Sequence, residues 1–157
     1  MKNITWKNLY FCALVTIYFS LFLWVLFFNR IPPFYQNSLP AKELGAQLIP
    51  LNTSFIFIKK SISNGFSWPT TYMMVSNLLG NVILFIPFGI LSPLLFSWVH
   101  KSKRILFLTL LFSFAAELIQ FYFQIGVFDV DDIILNTLGS VIGYNLLIQF
   151  CYGRLEG

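Results

Sequence analysis

The strongest constraint on this chain is the length of its apolar runs. Leu9–Phe28, Ser76–Val99, Ile105–Phe123 and Asp132–Cys151 each run to about 20 residues or slightly more, the length that carries a helix across about 30 Å of hydrocarbon. Inside a bilayer the backbone has no water to bond, so such runs must be helices or close into a barrel, and continuous rather than alternating apolarity selects helices. Composition agrees. The chain is 57% hydrophobic and 10% charged, where soluble domains carry roughly 25% charged residues. The expected fold class is all-α: an integral membrane bundle of four transmembrane helices, forming a single domain over residues 1–157 (spans about 9–28, 76–99, 105–123 and 132–151).

The first run follows a short arm containing Lys2 and Lys7, like a signal peptide, but it is too long and Asn29-Arg30-Ile31-Pro32-Pro33 follows in place of a small-residue cleavage site. It reads as an uncleaved first helix. Arg30–Val75 is a long connection, expected outside the cytoplasm and broken by Pro32, Pro33, Pro40, Pro50 and Pro69. Within it, Leu51, Phe55, Ile58 and Ile62 recur at helical spacing, with Asn52 or Thr53 as N-cap and Lys59 and Lys60 on another face. This predicts a short helix in the headgroup plane. Trp68 and Tyr72 suit an interfacial aromatic belt just before the second span. Lys2, Lys7, Lys101, Lys103 and Arg104 fall on one side, with Arg154 in the tail, so both termini are expected in the cytoplasm of a bacterial cell membrane.

The net charge of +4 suits anionic lipid headgroups, and no patch of the nucleic-acid-binding kind is present, so the expected partner is the lipid bilayer and not nucleic acid. His100 sits in the basic turn with no role assigned. Cys12 and Cys151 lie far apart in apolar runs. They read as small buried hydrophobes, with no metal site.

The informative stretch is Ser113–Tyr144. It places Glu117 and Gln120 in one apolar run, Asp129, Asp131 and Asp132 at a short turn, and Asn136, Gly139, Ser140 and Gly143 in the next run. A carboxylate facing lipid costs a few kcal/mol or more, so Glu117 must face protein, water or a partner. Helix direction then fixes depth. Glu117 lies about 18 Å up the third span, while Asn77, Asn81, Asp132 and Asn136 lie at the starts of the second and fourth. All belong to one half of the bilayer, and the inner half reads as apolar. Asn77 and Asn81 share a face, as do Glu117, Gln120 and Gln124, and as do Asp132, Asn136, Gly139 and Gly143. The expectation is a polar pocket near the outer surface, with Gly139 and Gly143 allowing close packing beneath it and Pro87 kinking the second span.

These residues resemble a known family. Asn81–Leu91, NVILFIPFGIL, and the stretch ELIQF…DVDDIILNTLGSVIG from Glu117 to Gly143 are similar to the VanZ-like family, which is named for a membrane protein linked to resistance to teicoplanin, a lipoglycopeptide antibiotic. The pattern consists of Asn81, Pro87 and Gly89, then Glu117 and Gln120, then Asp132, Asn136, Gly139 and Gly143. Many members carry an arginine shortly before the aspartate of the last span, where this chain has Val127. Lys59 or Lys60 is the candidate substitute. The resemblance implies a role at the cell envelope and lower susceptibility to lipoglycopeptides.

Three functions fit. In the first, an outer-leaflet polar pocket (Asn77, Asn81, Gln120, Asp129, Asn136) engages a lipid-linked cell-wall precursor, another peptidoglycan-related molecule or a lipoglycopeptide, with Glu117 and Asp132 as candidate catalytic acid and base. In the second, the chain is a small transporter or carrier. In the third, it is a non-catalytic scaffold whose polar groups, such as Glu117 bonded to Asn77 or Asn81, only join helices. Whether it is an enzyme stays open at this point. No cofactor is expected, although the turn aspartates Asp129, Asp131 and Asp132 have the chemistry for a divalent cation.

Overall fold

A computed structural model describes residues 6–28, 46–99 and 101–153. The arm with Lys2, the prolines at 32, 33 and 40, His100 and Arg154 lie outside the described residues. The chain forms two compact units, Met1–Glu43 and Leu44–Gly157. The first contributes helix α1, Trp6–Phe28, whose stretch Asn8–Phe27 is apolar enough to cross a membrane. Along its side Tyr18, Phe19 and Phe22 stack at centroid distances of 5.1–6.2 Å.

The second unit begins with α2 (Asn52–Ser63), followed by α3 (Trp68–Val75), a π-helical turn (Ser76–Gly80) and α4 (Asn81–Leu95). The last three run on as one helix, spanning Thr70–Leu95. The second span therefore starts and ends earlier than its apolar run suggests. The threonines and Tyr72 that open it are tolerated where a span leaves the hydrocarbon, and Tyr72 packs on Trp68 within the helix at 5.6 Å between ring centroids. Helices α5 (Ser102–Tyr122) and α6 (Val130–Gly153) complete the unit. With α1, four helices are long and apolar enough to span a membrane.

Helix α6 packs on both α4 and α5. Side-chain contacts fix the directions. Asn81 meets Asp132 and Phe85 meets Ser140, so α4 and α6 run the same way. Ser113 meets Asn136 and Glu117 meets Asp129, so α5 runs against them. The α4–α6 contact is made of backbone. A Cβ on Gly139 would lie 2.2 Å from the Val82 carbonyl oxygen, one on Gly143 2.0 Å from that of Ile86, and one on Gly89 2.0 Å from that of Ser140. No side chain fits these positions, and glycine lets two helices approach to where dispersion forces hold them without hydrophobic help. Pro87 and Pro93 both lie inside α4.

Two end structures depart from expectation. The N-cap of α2 is Leu51, at φ 64°, with no cap bond from its own side chain; the capping group comes from Asp131 instead. At the end of α5, Gln124 takes φ 56°. The Ile125 and Gln124 amides donate to the carbonyls of Gln120 and Phe121, a Schellman closure that usually uses glycine at the left-handed position. Gln124 is thereby exposed and leaves the Glu117–Gln120 face that its spacing suggests. The cysteines also correct the reading of the sequence: Cys12 and Cys151 are both exposed. In a membrane helix the apolar environment they need is supplied by lipid as readily as by protein.

Candidate functional site

Helix α5 buries one stripe, Ile105, Thr109, Ser113, Ala116, Glu117 and Gln120, while its leucines and phenylalanines are exposed, apart from the half-buried Leu108 and Phe112. The arrangement inverts that of a soluble helix, because lipid takes the apolar side chains and the polar ones must find protein. The bond from Asn136 Nδ2 to Ser113 Oγ, 2.8 Å, sets the register against α6. Stepping by helical turns toward the end of α5 brings Glu117 to the level of Asp132 and Gln120 to that of Asp129. Stepping the other way brings Thr109 to the level of Ser140 and Ile105 to that of Tyr144. All ten residues are buried.

The result is a ladder of polar pairs that runs about 16 Å from the Asp129 end and stops at Ile105 and Tyr144. The polar stripe thus extends further along the helices than the sequence suggests. The lower hydroxyls have bonds within their own helices: Thr109 donates to Ile105 O at 2.9 Å, and Ser92 on α4 donates to Phe88 O at 2.6 Å.

At the start of α6 the three aspartates separate into three tasks. Asp132 Oδ1 accepts from Asn77 Nδ2 at 3.2 Å and from Asn81 Nδ2. The π-helical turn carries Asn77 and runs directly into Asn81, and such insertions are frequent at functional sites. Both asparagines thus donate to Asp132. Asp131 reaches α2, where its carboxylate oxygens accept from the Leu51 amide and, at 2.8 Å, from the Ser54 amide. One carboxylate from a distant part of the chain thus performs both bonds of a capping box and places negative charge at the helix N-terminus.

Asp129 precedes the first residue of α6. Its Oδ1 accepts from the Asp131 amide at 2.9 Å, and its own amide donates to Glu117 Oε2 at 3.1 Å. Gln47 bridges this segment, donating to Phe128 O at 2.7 Å and accepting from the Val130 amide at 3.1 Å. Burial, with the charge of Asp132 adding, raises the Asp129 carboxyl from 3.8 to about 6, against opposing hydrogen bonds from Asp131 and Thr53.

The predicted site residues Asn77, Asn81, Glu117, Gln120, Asp129, Asp132 and Asn136 thus meet at one end of the unit. The turn folds back over Gln120 so closely that a Cβ on Gly126 would lie 3.2 Å from Gln120 Oε1. Val127 is half-buried, and Lys59 and Lys60 are exposed on α2. Among the described residues no group of three or more His, Cys, Asp or Glu side chains is placed to hold a metal ion. Three contributions escaped sequence reasoning: the π-helical turn, the Asp131–α2 clasp and the Ser113–Asn136 rung. The last was accessible, since Thr109, Ser113, Glu117 and Gln120 repeat at spacings of 4, 4 and 3.

The geometry can be set beside known proteins. No solved structure matches the chain. Protein VanZ of Enterococcus faecium is 41% identical over 69 residues, which are 44% of this chain and 42% of that protein, so the match spans less than half of the relative. The VanZ/LLP1 family model matches residues 15–152, a range that takes in every polar residue of the ladder and its cap, and on that match the chain belongs to the VanZ/LLP1 family.

Proposed function

We propose that this chain acts in the bacterial cell envelope, lowering susceptibility to lipoglycopeptides of the teicoplanin type through the polar site at the outer end of its helices. In this reading both termini are cytoplasmic, as the basic residues suggest, and the Asp132 end faces outward. Helix α2 lies in the headgroup plane. Phe55, Ile58 and Ile62 are exposed on it beside Lys59 and Lys60, and Asp131 ties its first turn to α6.

One observation carries the reading. Asp132 is held by two asparagines from the α3–α4 helix while Glu117, at the same level on α5, accepts a backbone bond from the turn. Three helices bring polar groups together at a depth where each is costly, and intramembrane carboxylates mark functional sites far more often than decoration. The ladder's stop at Ile105 and Tyr144 favours a site entered from one end over a path through the bilayer. Glu117 and Asp132 at one level also form the pairing that acid–base chemistry uses.

The test is expression in a susceptible host, with and without Glu117→Gln, scored against a panel of envelope-targeting drugs. The parent chain should raise the inhibitory concentration of teicoplanin-type drugs, and the variant at equal membrane level should not. Full resistance with Glu117→Gln would overturn the reading.

A further inference from the structure

Helix α2 is attached by its polar side. Its buried residues are Ser54 and Ser61, seven apart and so on one face, while Phe55, Ile56, Ile58 and Ile62 are exposed. No apolar side chain of α2 is buried, so the kind of burial that holds α4 through Phe85 and Phe88 is missing. The hydroxyls do not replace it. Ser54 Oγ and Ser61 Oγ are buried without a hydrogen-bond partner, and so are Thr71 Oγ1 and Asn77 Oδ1 on the helix that α2 packs against. Elsewhere helical hydroxyls turn back onto carbonyls of their own helix, as those of Thr16, Ser92, Thr109 and Thr137 do. A closed interface with orphaned oxygens on both helices is destabilised relative to one that water reaches.

The ends of α2 add backbone strain. Leu51 before it has φ 64° and Phe66 after it has φ 55°, left-handed values that residues other than glycine rarely take, and Gly65 at φ 59° adjoins Phe66. Strained connections persist only where their surroundings hold them. Here the hold is polar and confined to the first turn. Asp131 accepts from the Leu51 and Ser54 amides, and the Thr53 side chain bonds Asp129. Beyond both ends the chain is anchored, at Gln47 by two backbone bonds to the Phe128–Val130 segment and at Thr70 by the start of the second span.

We propose that α2 is a flap, hinged at Leu51 and at Gly65–Phe66 and latched by Asp131, that lifts to admit a ligand to the polar site beside its first turn. Lifting breaks the Asp131 and Thr53 bonds. In return it relaxes two left-handed residues and wets the orphaned oxygens, and the apolar face of α2 stays exposed as before. The latch adjoins the site, since Asp131 precedes Asp132, which holds Asn77. The inference rests on the site proposed above and specifies how that site is reached.

The test is alkylation of a thiol placed under the flap, in the full chain reconstituted in nanodiscs. Cys12 and Cys151, both exposed, are replaced by serine, and Ser61→Cys puts a thiol at a position that is 0% exposed. If α2 lifts as a helix, N-ethylmaleimide reaches this thiol while the amides of α2 stay bonded. The opening constant from labelling should then exceed that from hydrogen exchange of the Ile58–Lys60 amides by about tenfold or more. Asp131→Ala should raise labelling about fivefold, as loss of a cap implies. Ser54→Ala with Thr71→Val should lower it by a similar factor, because an apolar side chain in place of an orphaned hydroxyl favours the closed state. Removal of ordinary packing groups acts with the opposite sign.

Should Ser61→Cys not fold, Ser54→Cys gives the same readout, with Ser61→Ala and Thr71→Val as the apolar pair. A thiol that labels no faster than the α2 amides exchange, or an apolar pair that labels faster than its parent, would overturn the inference. Resistance that depends on Glu117 while the thiol stays protected would sink this inference alone. Labelling as expected with resistance untouched by Glu117→Gln would sink the proposed function alone.

Discussion

Helix α6 holds its neighbours by two devices: Gly139 and Gly143 pack against the α4 backbone, while Asp132, Asn136 and Ser140 make hydrogen bonds, to the α3–α4 helix as well as to α5. The first, the glycine seam, works by removal of side chains, with glycine positions approached to within 2.0–2.2 Å of where a Cβ would stand. The second seam keeps polar side chains and satisfies them across the gap, as in the Asn136–Ser113 rung. A helix in lipid can gain association from either device. Only the second, the polar seam, carries groups that change charge, and with it go the buried Asn136 and Asn77 oxygens that have no partner. The glycine seam therefore fixes the position of α6, and the polar seam uses it.

This division makes variants at the two seams behave differently. The largest stability effect belongs to the glycine seam. Gly143→Ala drives a methyl into the Ile86 carbonyl, which is backbone and cannot swing aside, so the loss should be about 3 kcal/mol, read by thermal melting or steric trapping of the purified chain. A melting point unchanged by this variant would break the comparison at its base.

The clasp comes next. Asp131→Ala removes the cap from α2 and should cost about 1 kcal/mol. Hydrogen exchange should speed up at the Leu51 and Ser54 amides and stay slow in the middle of α6. Uniform change along α6 would mean that Asp131 holds more than the surface helix.

The smallest effect is a pH slope. The Asp129 carboxyl is raised from 3.8 to about 6 in the fold, so the folded state binds the proton more tightly than the unfolded one. The sign follows: the contribution of Asp129 to stability is greatest below pH 3.8, declines as pH rises to about 6, and is level above that. Asp129→Asn keeps the cap to the Asp131 amide and should flatten this slope between those limits in melting curves taken across pH.

Much of this was legible in the sequence, for reasons that also explain what was not. Span number and depth follow from run length and helix rise, which lipid enforces more strictly than water does. That is why Asn77, Asn81, Glu117 and Asp132 could be assigned to one level before any coordinates. Their pairing could not. Spacing puts Asn77 and Asn81 on one face but does not choose between Glu117 and Asp132 as their acceptor, a choice made by which helix α4 touches. The π-helical turn at Ser76–Gly80 leaves no period of its own in five residues, and the second span began early because Thr70, Thr71 and Tyr72 look like loop in a hydropathy scan. Gln124 was misplaced because the sequence has its glycine at 126 and not at the left-handed position that ends α5. The clasp joins Asp131 to amides about 80 residues away, a contact that only tertiary structure reveals.

The central claim is that the polar seam works while the glycine seam supports, and Asp132→Asn tests it most directly. Asparagine keeps the size of the side chain and its bonding capacity toward Asn77 and Asn81 while removing the charge. Teicoplanin susceptibility of a host expressing this variant, at membrane level and melting temperature matched to the parent, is the deciding measurement. The account predicts that resistance is lost with the fold intact. Resistance retained at parental strength would contradict it and leave the ladder as helix packing alone.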